Sequence, residues 1–408
     1  MALAQSNAAA PAMAPAIAPA GAAMGILTAL SLSHMCNDMV QSVAQAMYPT
    51  FRDLYGLSFL QLGLVTLAFQ GTASILQPLV GYLTDRRPTP LALPGAMAAT
   101  FVGIVCFALT RGYPLLVASV AVIGIGSAIF HPEASRAARS ASGGRHGLAQ
   151  SLFQLGGNFG QAIGPLLVAL IVTPLGQTSA LLFAGLALIA MYLLARVSQW
   201  RVARMAAQAA QPKKPALANT LPRAVVLRSL SILMLLVFSK VSYLSGLGTY
   251  YAVYLKDNFG LSNQQAQLLL FVFLLANAAG TFIGGPIGDR YGRKFVIWAS
   301  IVGVLPFTLA LPYLGLVGTV ICTICIGLVL ASAFSAIVVY AQELSPGNVG
   351  MMAGLFFGLS FGLGGVAAAV LGWIADMTSL RLVYQITAFL PFIGLLTAFL
   401  PNVRTKPL

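Results

Sequence analysis

The amino-acid sequence predicts an all-α membrane protein of twelve transmembrane helices, arranged as two pseudo-symmetric six-helix bundles. Three observations support this fold class. The 408 residues are 59% hydrophobic and only 7% charged, with a mean hydropathy of +0.89. The apolar residues fall into twelve separate runs, and two short motifs recur at one constant spacing.

The composition identifies lipid as the solvent of this chain. A soluble domain carries roughly a quarter of charged residues, so a chain this poor in charge cannot cover a water-facing surface. A membrane-spanning helix needs about 20 mostly apolar residues. Runs of about this length fall near residues 25–49, 59–82, 93–110, 114–137, 147–172, 179–199, 228–255, 263–286, 294–311, 316–342, 349–374 and 382–401.

The net charge of +14 would suit a nucleic-acid partner, but its distribution indicates a membrane orientation. Loops on one side of the predicted spans carry 17 of the 22 Lys and Arg residues, against four on the other side, with Lys240 inside a span. Loops rich in Lys and Arg stay in the cytoplasm. We therefore predict a multi-pass protein of the bacterial inner (plasma) membrane, with both termini cytoplasmic, the lipid bilayer as partner and no nucleic acid.

The same pattern predicts the organisation of the chain. Residues 1–24 are rich in Ala and Pro and contain no Lys or Arg. They lack the charged start of a cleaved signal peptide, so we predict a disordered cytoplasmic tail. The two bundles are expected at residues 25–200 and 228–401, joined by a cytoplasmic linker at 201–227 and followed by a tail at 402–408.

Two motifs repeat in register and indicate that the halves are parallel repeats. Residues 52–58 (R-D-L-Y-G-L-S) recur as residues 256–262 (K-D-N-F-G-L-S), and residues 81–86 (G-Y-L-T-D-R) recur as residues 285–290 (G-P-I-G-D-R). Both pairs are separated by 204 residues. Two matches at one spacing predict halves related by an axis along the membrane normal.

Ionisable residues inside the predicted spans are the strongest functional signal, because they are costly in lipid. Asp38 lies near the middle of the first span, and His34, Gln41 and Gln45 share its helical face. Lys240 lies near the middle of the seventh span, the repeat partner of the first. The repeat predicts both charges at similar depth beside a central cavity, where they form either a binding site or a structural ion pair.

Other polar residues extend this predicted site. Tyr243, Tyr250 and Tyr254 continue the stripe of Lys240 along the seventh span. Polar residues also recur on one face of the fifth span, where they either line the cavity or hydrogen-bond to neighbouring helices. These are Gln150, Gln154, Asn158 and Gln161. Asn277 on the eighth span either lines the cavity or packs.

Two glutamates near span ends are left with two interpretations. Glu133 follows His131 and Pro132 at the end of the fourth span, and Glu343 ends the tenth. Each lies near the predicted cytoplasmic surface, where a salt bridge is as consistent with the pattern as a role in proton coupling.

The four cysteines fall inside apolar runs without a second ligand pair, so we predict neither a metal site nor a cofactor.

The loop motif after the second and eighth spans resembles a signature of the major facilitator superfamily. Its glycines, aspartates and arginines are Gly81, Asp85, Arg86, Gly285, Asp289, Arg290 and Arg293. An aspartate here is able to hold an arginine or a helix N-terminus across the seam between the halves, which predicts a cytoplasmic gate. The first copy continues as P-T-P at residues 88–90 instead of Gly-Arg-Lys, so we expect a weaker contact there.

The fifth span contains Gly160, Gly164 and Pro165 in the pattern G-x-x-x-G-P. This pattern resembles the antiporter signature of proton-coupled drug exporters, and it favours antiport. The Gly pair that usually follows is replaced by Val168 and Ala169. Plain packing of small residues between helices remains the alternative.

Longer stretches resemble the bacterial fosmidomycin-resistance transporters. They are residues 31–42 (S-L-S-H-M-C-N-D-M-V-Q-S), 130–160 and 340–344 (Y-A-Q-E-L), and the resemblance runs from about residue 25 to the C-terminus. It implies a major facilitator fold and proton-driven efflux of the phosphonate antibiotic fosmidomycin, or other small molecules, by alternating access at a central cavity.

In that interpretation Asp38 carries the proton, with His34 as its relay or hydrogen-bond partner. Lys240, with Tyr243 and Tyr250, binds the anionic substrate. Proton-coupled uptake of an organic anion metabolite fits the same features. A membrane sensor and an enzyme are disfavoured, because we find no large soluble domain, nucleophile–base pair or nucleotide loop. We expect a monomer that uses the proton gradient as its energy source.

Overall fold

In the computed structural model, the chain is helical in nearly all the residues that the structure describes. These are residues 22–47, 51, 54–57, 59–87, 89–209 and 221–402, and no β-strand occurs among them. Several predictions lie outside the described residues. They concern most of the N-terminal tail, the centre of the linker at 210–220, the tail from 403, and Arg52, Asp53 and Ser58 of the repeat.

Six helical spans make up the N-terminal half. In chain order they are α1 (Met24–Ala46), α2 (Phe59–Arg86), α3 (Ala92–Ala108), α4 (Tyr113–Ala141), α5 (His146–Leu167) and α6 (Ala184–Ala209). A π-helical turn at Val168–Val172 and a short helix at Thr173–Leu175 continue α5 beyond Pro165, and a 3-10 helix at Gln177–Phe183 leads into α6. The π turn follows Pro165 because proline disturbs the regular backbone hydrogen bonds of a helix.

Six further spans make up the C-terminal half. They are α7 (Arg223–Phe259), α8 (Asn263–Tyr291), α9 (Arg293–Val302, continued by Leu305–Ala310 and Leu311–Tyr313), α10 (Leu316–Ala331 and Ala333–Leu344), α11 (Val349–Met377) and α12 (Leu380–Thr387, continued by Leu390–Phe399).

Each apolar run of the sequence overlaps one of these spans, which confirms the predicted fold class. By length and composition, ten stretches of the described chain are able to cross a membrane, and α3 is a shorter apolar helix. Several helices extend beyond their apolar runs on the side rich in Lys and Arg, here called the base-rich side. There α2 reaches Arg86 and α7 begins at Arg223. Arginine side chains tolerate this position because an apolar stem lies in lipid while the charge stays in water.

The two halves meet where α2 packs along α11 and α5 packs along α8. Paired glycines bring these helices together at the base-rich side. A Cβ on Gly81 would lie 2.3 Å from the carbonyl oxygen of Gly350, and one on Gly285 would lie 2.2 Å from that of Gly147. Gly81 and Gly285 are related by the repeat, and Gly147 and Gly350 are each the second residue of the helix that faces them. The seam is therefore closed in a similar way on both sides of the molecule.

Candidate functional site

A polar cavity of about 500 Å³ lies between the halves, towards the side poor in Lys and Arg. Residues of α1, α2, α5, α7, α8 and α11 line it. Its most prominent side chains are amides: Gln41, Gln45, Gln70, Asn158, Gln161 and Asn277. The predicted residues Gln41, Asn158 and Asn277 therefore lie in the cavity wall. An amide-lined wall offers both donors and acceptors to a polar molecule.

A smaller cavity of about 140 Å³ adjoins the first, and Asp38, Asn158 and Gln161 line both. Its wall also contains His34, Gln154, His131 and Lys240. The predicted charges Asp38 and Lys240 thus line the same small cavity. The repeat that relates α1 to α7 explains their similar depth.

The carboxylate of Asp38 is almost completely buried, with 1% of the residue exposed. Its Oδ2 lies 3.3 Å from Nε2 of His34 and accepts a hydrogen bond of 2.9 Å from Gln161. Its Oδ1 lies 3.7 Å from Nε2 of His131 and accepts a hydrogen bond of 3.0 Å from Asn37. An ionised carboxylate is stable in such a place only with several such partners.

Backbone carbonyls determine the tautomers of both histidines. Nδ1 of His34 lies 2.8 Å from the carbonyl oxygen of Phe153, and Nδ1 of His131 lies 2.9 Å from that of Ser127. A carbonyl oxygen only accepts, so each Nδ1 carries a hydrogen. In a neutral imidazole the remaining Nε2 is then an acceptor, and both Nε2 atoms face Asp38. Two acceptors approach each other closely only with a proton or a cation between them, so this His–Asp–His cluster is built to hold a proton.

The same three side chains have the donor set of a transition-metal site. One ligand atom of each lies within 4.8 Å of the others, and all three residues are buried. However, the carboxylate oxygens already accept amide hydrogen bonds from Asn37 and Gln161, and the cation Lys240 lines the same small cavity. A divalent metal ion would be repelled there more strongly than the single charge of a proton, so this environment favours a proton over a metal ion.

Lys240 has no hydrogen-bond or ion-pair partner in the part of the chain that the structure describes. Its ammonium lies 5.0 Å above the ring centre of Phe334, a cation–π contact. Lys240 is 7% exposed, and Asp38 is paired with the two histidines instead of with it. The predicted alternative of a structural Asp–Lys ion pair is therefore absent from this conformation. Lys240 is left as a buried cation that faces the cavity.

The tyrosines predicted beside Lys240 do not line either cavity. Tyr243 and Tyr254 are buried within the C-terminal half, where the ring of Tyr254 packs on Tyr384. The hydroxyl of Tyr250 donates a 2.6 Å hydrogen bond to the carbonyl oxygen of Ala368 on α11. The cavity face of α7 is formed instead by small residues between these tyrosines. They are Ser245, Gly248 and Thr249.

The fifth-span stripe is divided between two roles. Gln154 and Asn158 line cavities, and Asn158 also donates a 3.0 Å hydrogen bond to Thr281 of the other half. Gln150 instead accepts a hydrogen bond from Ser135 of α4.

The glycines of the antiporter-like motif allow α5 to pack closely on α1, since a Cβ on Gly160 would lie 2.3 Å from the carbonyl oxygen of Met35. Gly164 packs on Ser42 in the same way, and the side chain of Pro165 points outward.

Glu133 lies apart from the His–Asp–His cluster, in an ion-pair network at the base-rich end of α4. It is fully buried, and its carboxylate lies 2.5 Å from Arg136 and 2.9 Å from Arg201. This favours the salt-bridge interpretation of Glu133. Glu343 likewise lies 3.3 Å from Arg293.

The two motif aspartates hold helix N-termini across the seam. Asp85 accepts hydrogen bonds of 2.9 and 2.8 Å from the backbone N–H groups of Gly350 and Met351, at the start of α11. Asp289 accepts bonds of 2.9 and 2.8 Å from Gly147 and Leu148, at the start of α5. A carboxylate is stabilised there by the unpaired N–H groups and by the helix dipole. The two capping contacts have the same lengths, whereas the arginine contact is longer in the first copy, at 3.4 Å from Arg136 to Asp85 against 2.8 Å from Arg293 to Asp289.

Arg86 and Arg290, predicted as gate residues, lie outside this network. Each guanidinium lies over a neighbouring ring, 4.2 Å from the centre of Tyr82 and 5.3 Å from that of Tyr291. The arginines that contact the motif aspartates are Arg136 and Arg293. Arg136 was missed because it belongs to α4 and not to the loop motif. His131 was also missed, although an ionisable residue inside a predicted span is itself a functional signal.

Two helical halves around a buried polar cavity, with a gate closed at one end, define a membrane transporter that binds a small molecule between its halves. The profile of the Major Facilitator Superfamily matches residues 30–254 and again residues 233–408. The chain belongs to this superfamily and is therefore a transporter and not an enzyme. It is a multi-pass protein of the bacterial inner membrane.

Similar proteins agree with this assignment. The chain is 54% identical to the fosmidomycin resistance protein of Escherichia coli (strain K12), over 94% of each chain. It is 42% identical to an uncharacterized MFS-type transporter of Bacillus subtilis (strain 168), YfnC, over 92% of this chain and 93% of that one.

Solved structures share the fold at low sequence identity. The proton:xylose symporter XylE matches with a TM-score of 0.75 and 15% identity, over 94% of this chain and 97% of that one. The transporter FucP in its outward conformation matches with a TM-score of 0.71 and 16% identity, over 93% and 99%.

Proposed function

We propose that this transporter exports small anionic molecules, including the phosphonate fosmidomycin, in exchange for protons. The observation that carries the proposal is that Lys240, a buried cation without an ion-pair partner among the described residues, shares one small cavity with the His–Asp–His cluster. An anion needs a cation in a site of low dielectric. The cluster supplies a place for a proton beside it. The 54% identity to a fosmidomycin resistance protein supports the substrate class.

In the proposed cycle, protons and drug use the cavity in alternation. A proton enters from the base-poor side and binds between Asp38 and its histidines. The halves then rock about the site, the base-rich gate opens, and the proton leaves as the anion binds near Lys240. Return of the loaded transporter releases the anion on the base-poor side.

We further infer that the base-rich side faces the cytoplasm, because 17 of the 22 Lys and Arg residues belong to it. Both tails (residues 1–24 and 402–408) and the linker at 201–227 are then cytoplasmic, and the transporter acts as a monomer without a cofactor.

The test is drug-driven proton movement in proteoliposomes that hold the purified transporter. Fosmidomycin on one side should drive protons in the opposite direction with wild type and not with Asp38→Asn. Asp257→Asn is the matched control, because Asp257 is exposed at the end of α7 and lines neither cavity of the site. Undiminished coupling in Asp38→Asn would exclude Asp38 as the proton carrier.

Proton-coupled uptake of an organic anion is the second candidate, because the fold is shared with a proton:xylose symporter. Flux in vesicles separates the two candidates. An exporter by antiport accumulates drug in inverted vesicles with an acidic interior, whereas a symporter loses it under the same gradient.

A further inference from the structure

The guanidinium groups of Arg136 and Arg293 have equivalent partners in the two halves. Arg136 donates to the carbonyl oxygen of Thr84, lies 3.4 Å from Asp85 and binds Glu133 at 2.5 Å. Arg293 donates to the carbonyl oxygen of Gly288 at 2.6 Å, lies 2.8 Å from Asp289 and lies 3.3 Å from Glu343. Each arginine therefore joins a motif aspartate, the carbonyl before it and a glutamate of the fourth helix in its half.

The carbonyls and the aspartates are related by the repeat, whereas the glutamates (Glu133 and Glu343, 210 residues apart) and the arginines are not. Thr84 and Gly288 are 204 residues apart, as are Asp85 and Asp289. Arg293 belongs to the loop motif and begins α9. The residue 204 positions earlier is Thr89, which cannot supply a guanidinium. In the N-terminal half the missing group comes instead from α4, through Arg136.

Because Arg136 belongs to α4, the N-terminal gate is connected to the cavity. α4 also carries His131, whose Nε2 faces Asp38, five residues before Arg136. Five residues span about 7.5 Å of helix, so α4 contacts the His–Asp–His cluster at one point and Asp85 at another. Pro132 lies between them and removes a backbone hydrogen bond of the helix, which makes bending there easier. No residue of α9 lines the two cavities of the site. Arg293 is connected to them less directly, through Glu343 at the end of α10, nine residues after the cavity residue Phe334.

We propose that Arg136 is a positioning residue that transmits the protonation of the Asp38 site to the base-rich gate, whereas Arg293 only helps to hold the gate closed. This inference rests on the proposed proton site. When a proton enters the cluster, it joins the carboxylate of Asp38 to the unprotonated Nε2 of His131, and this new contact shifts α4 at Pro132. Arg136 then moves relative to Asp85, and the carboxylate that caps α11 loses the guanidinium that orients it.

Charged groups near both ends of this connection belong to several helices. Near Asp38 they are His34 on α1, His131 on α4 and Lys240 on α7. Near Arg136, the groups that share a surface pocket with it and Asp85 are Arg139, His146 and Arg204. A pH response of the gate therefore needs the Asp38→Asn variant as a reference, because these other charged groups lie beside Arg136.

The experiment measures gate opening and proton uptake on the same purified protein. Spin labels at Arg87, exposed at the end of α2, and at Ala224, exposed at the start of α7, report the distance between the halves at the base-rich side. An indicator dye reports proton uptake on acidification. The variants are Arg136→Gln, Arg136→Ala, Arg293→Gln and, as the control, Arg86→Gln, whose guanidinium lies over Tyr82.

In wild type and Arg86→Gln the distance should lengthen on acidification, and Asp38→Asn should abolish this response. In Arg293→Gln the distance should be longer at every pH but should still respond. Arg136→Gln should lose at least four-fifths of the response while it keeps the Asp38-dependent proton uptake. Retained proton uptake also shows that the variant is folded. If Arg136→Ala is unstable, the comparison uses Arg136→Gln alone.

A full response in Arg136→Gln, or an equal loss in Arg293→Gln, would overturn the inference and leave the proton site intact. Absence of Asp38-dependent proton uptake in wild type would overturn the proposed function and this inference with it.

Discussion

Asp85 on α2 and Asp289 on α8, separated by 204 residues, each cap the first turn of a helix in the opposite half. Each accepts two backbone hydrogen bonds of 2.9 and 2.8 Å. The arrangement is reciprocal, because Asp85 of the N-terminal half holds α11 and Asp289 of the C-terminal half holds α5. The closed state therefore depends on two equivalent charge–dipole contacts.

Replacing either aspartate by asparagine should loosen the base-rich seam. Each variant loses a negative charge next to a helix N-terminus, a contact that stabilises by about 1 kcal/mol, and the amide presents one acceptor oxygen instead of two. Single variants should shift the spin-label distance between the halves towards the open state, and the double variant should shift it further. Equal distances in wild type and the double variant would contradict a latch role.

Lys240→Gln should weaken binding of fosmidomycin to the purified transporter. A hydrogen bond to a charged group contributes about 1.5–3 kcal/mol, so the dissociation constant should rise roughly 10-fold to 150-fold. Lys256→Gln, an exposed position at the end of α7, should bind as wild type does. Calorimetric titration measures both constants, and unchanged affinity in Lys240→Gln would remove this residue from the binding site.

His131→Gln should impair proton uptake more than substrate binding. Nε2 of His131 faces Asp38 at 3.7 Å, and glutamine cannot hold a proton there. Asp38-dependent proton uptake should fall, while the dissociation constant for fosmidomycin should change less than threefold, about 0.65 kcal/mol. His146→Gln, at the start of α5, is the matched control. Proton uptake equal to that of wild type would limit the cluster to His34 and Asp38.

Tyr243→Phe and Tyr250→Phe should leave fosmidomycin affinity unchanged, because neither tyrosine lines the cavities of the site. Tyr250→Phe should lower thermal stability slightly, since its hydroxyl bonds to Ala368 and a typical hydrogen bond contributes about 1 kcal/mol. Binding titrations and melting curves in detergent separate the two effects. A tenfold loss of affinity in either variant would restore the tyrosines to the substrate site.

Gly156→Ala should destabilise the N-terminal half. A Cβ at this position would lie 1.9 Å from the carbonyl oxygen of Ser31 on α1, and overpacking of this kind costs about 1–3 kcal/mol. Gly95→Ala is the control, because a Cβ there meets nothing within 4 Å and alanine favours a helix. The loss of monodisperse protein on heating should occur at a lower temperature in Gly156→Ala only.

Much of the fold was predictable because lipid restricts which residues a membrane-spanning helix contains. Every span needs a long apolar run, so runs such as 316–342 correspond to helices such as α10. Boundaries were less accurate at the base-rich ends, where α6 continues to Ala209 beyond the run that ends at 199. Hydrophobicity marks where lipid ends, whereas a helix continues as long as its backbone hydrogen bonds are satisfied.

The site was predictable in its charges and not in its contacts. Burial of charge in a membrane is costly, so Asp38 and Lys240 were visible in the sequence as exceptions. The tyrosines of α7 were misassigned because helical spacing shows which residues share a face of the helix. It does not show whether that face contacts the cavity or another helix.

The sequence by itself determined twelve spans, two repeated halves, the paired motif aspartates and the mid-span positions of Asp38 and Lys240. Only the tertiary structure decided that Asp38 pairs with His34 and His131 instead of with Lys240. It also decided that Arg136, far from the loop motif in sequence, supplies the guanidinium beside Asp85. The reason is physical: hydrophobicity and repeats are properties of one chain segment at a time, whereas the partner of a buried charge depends on which helices pack together.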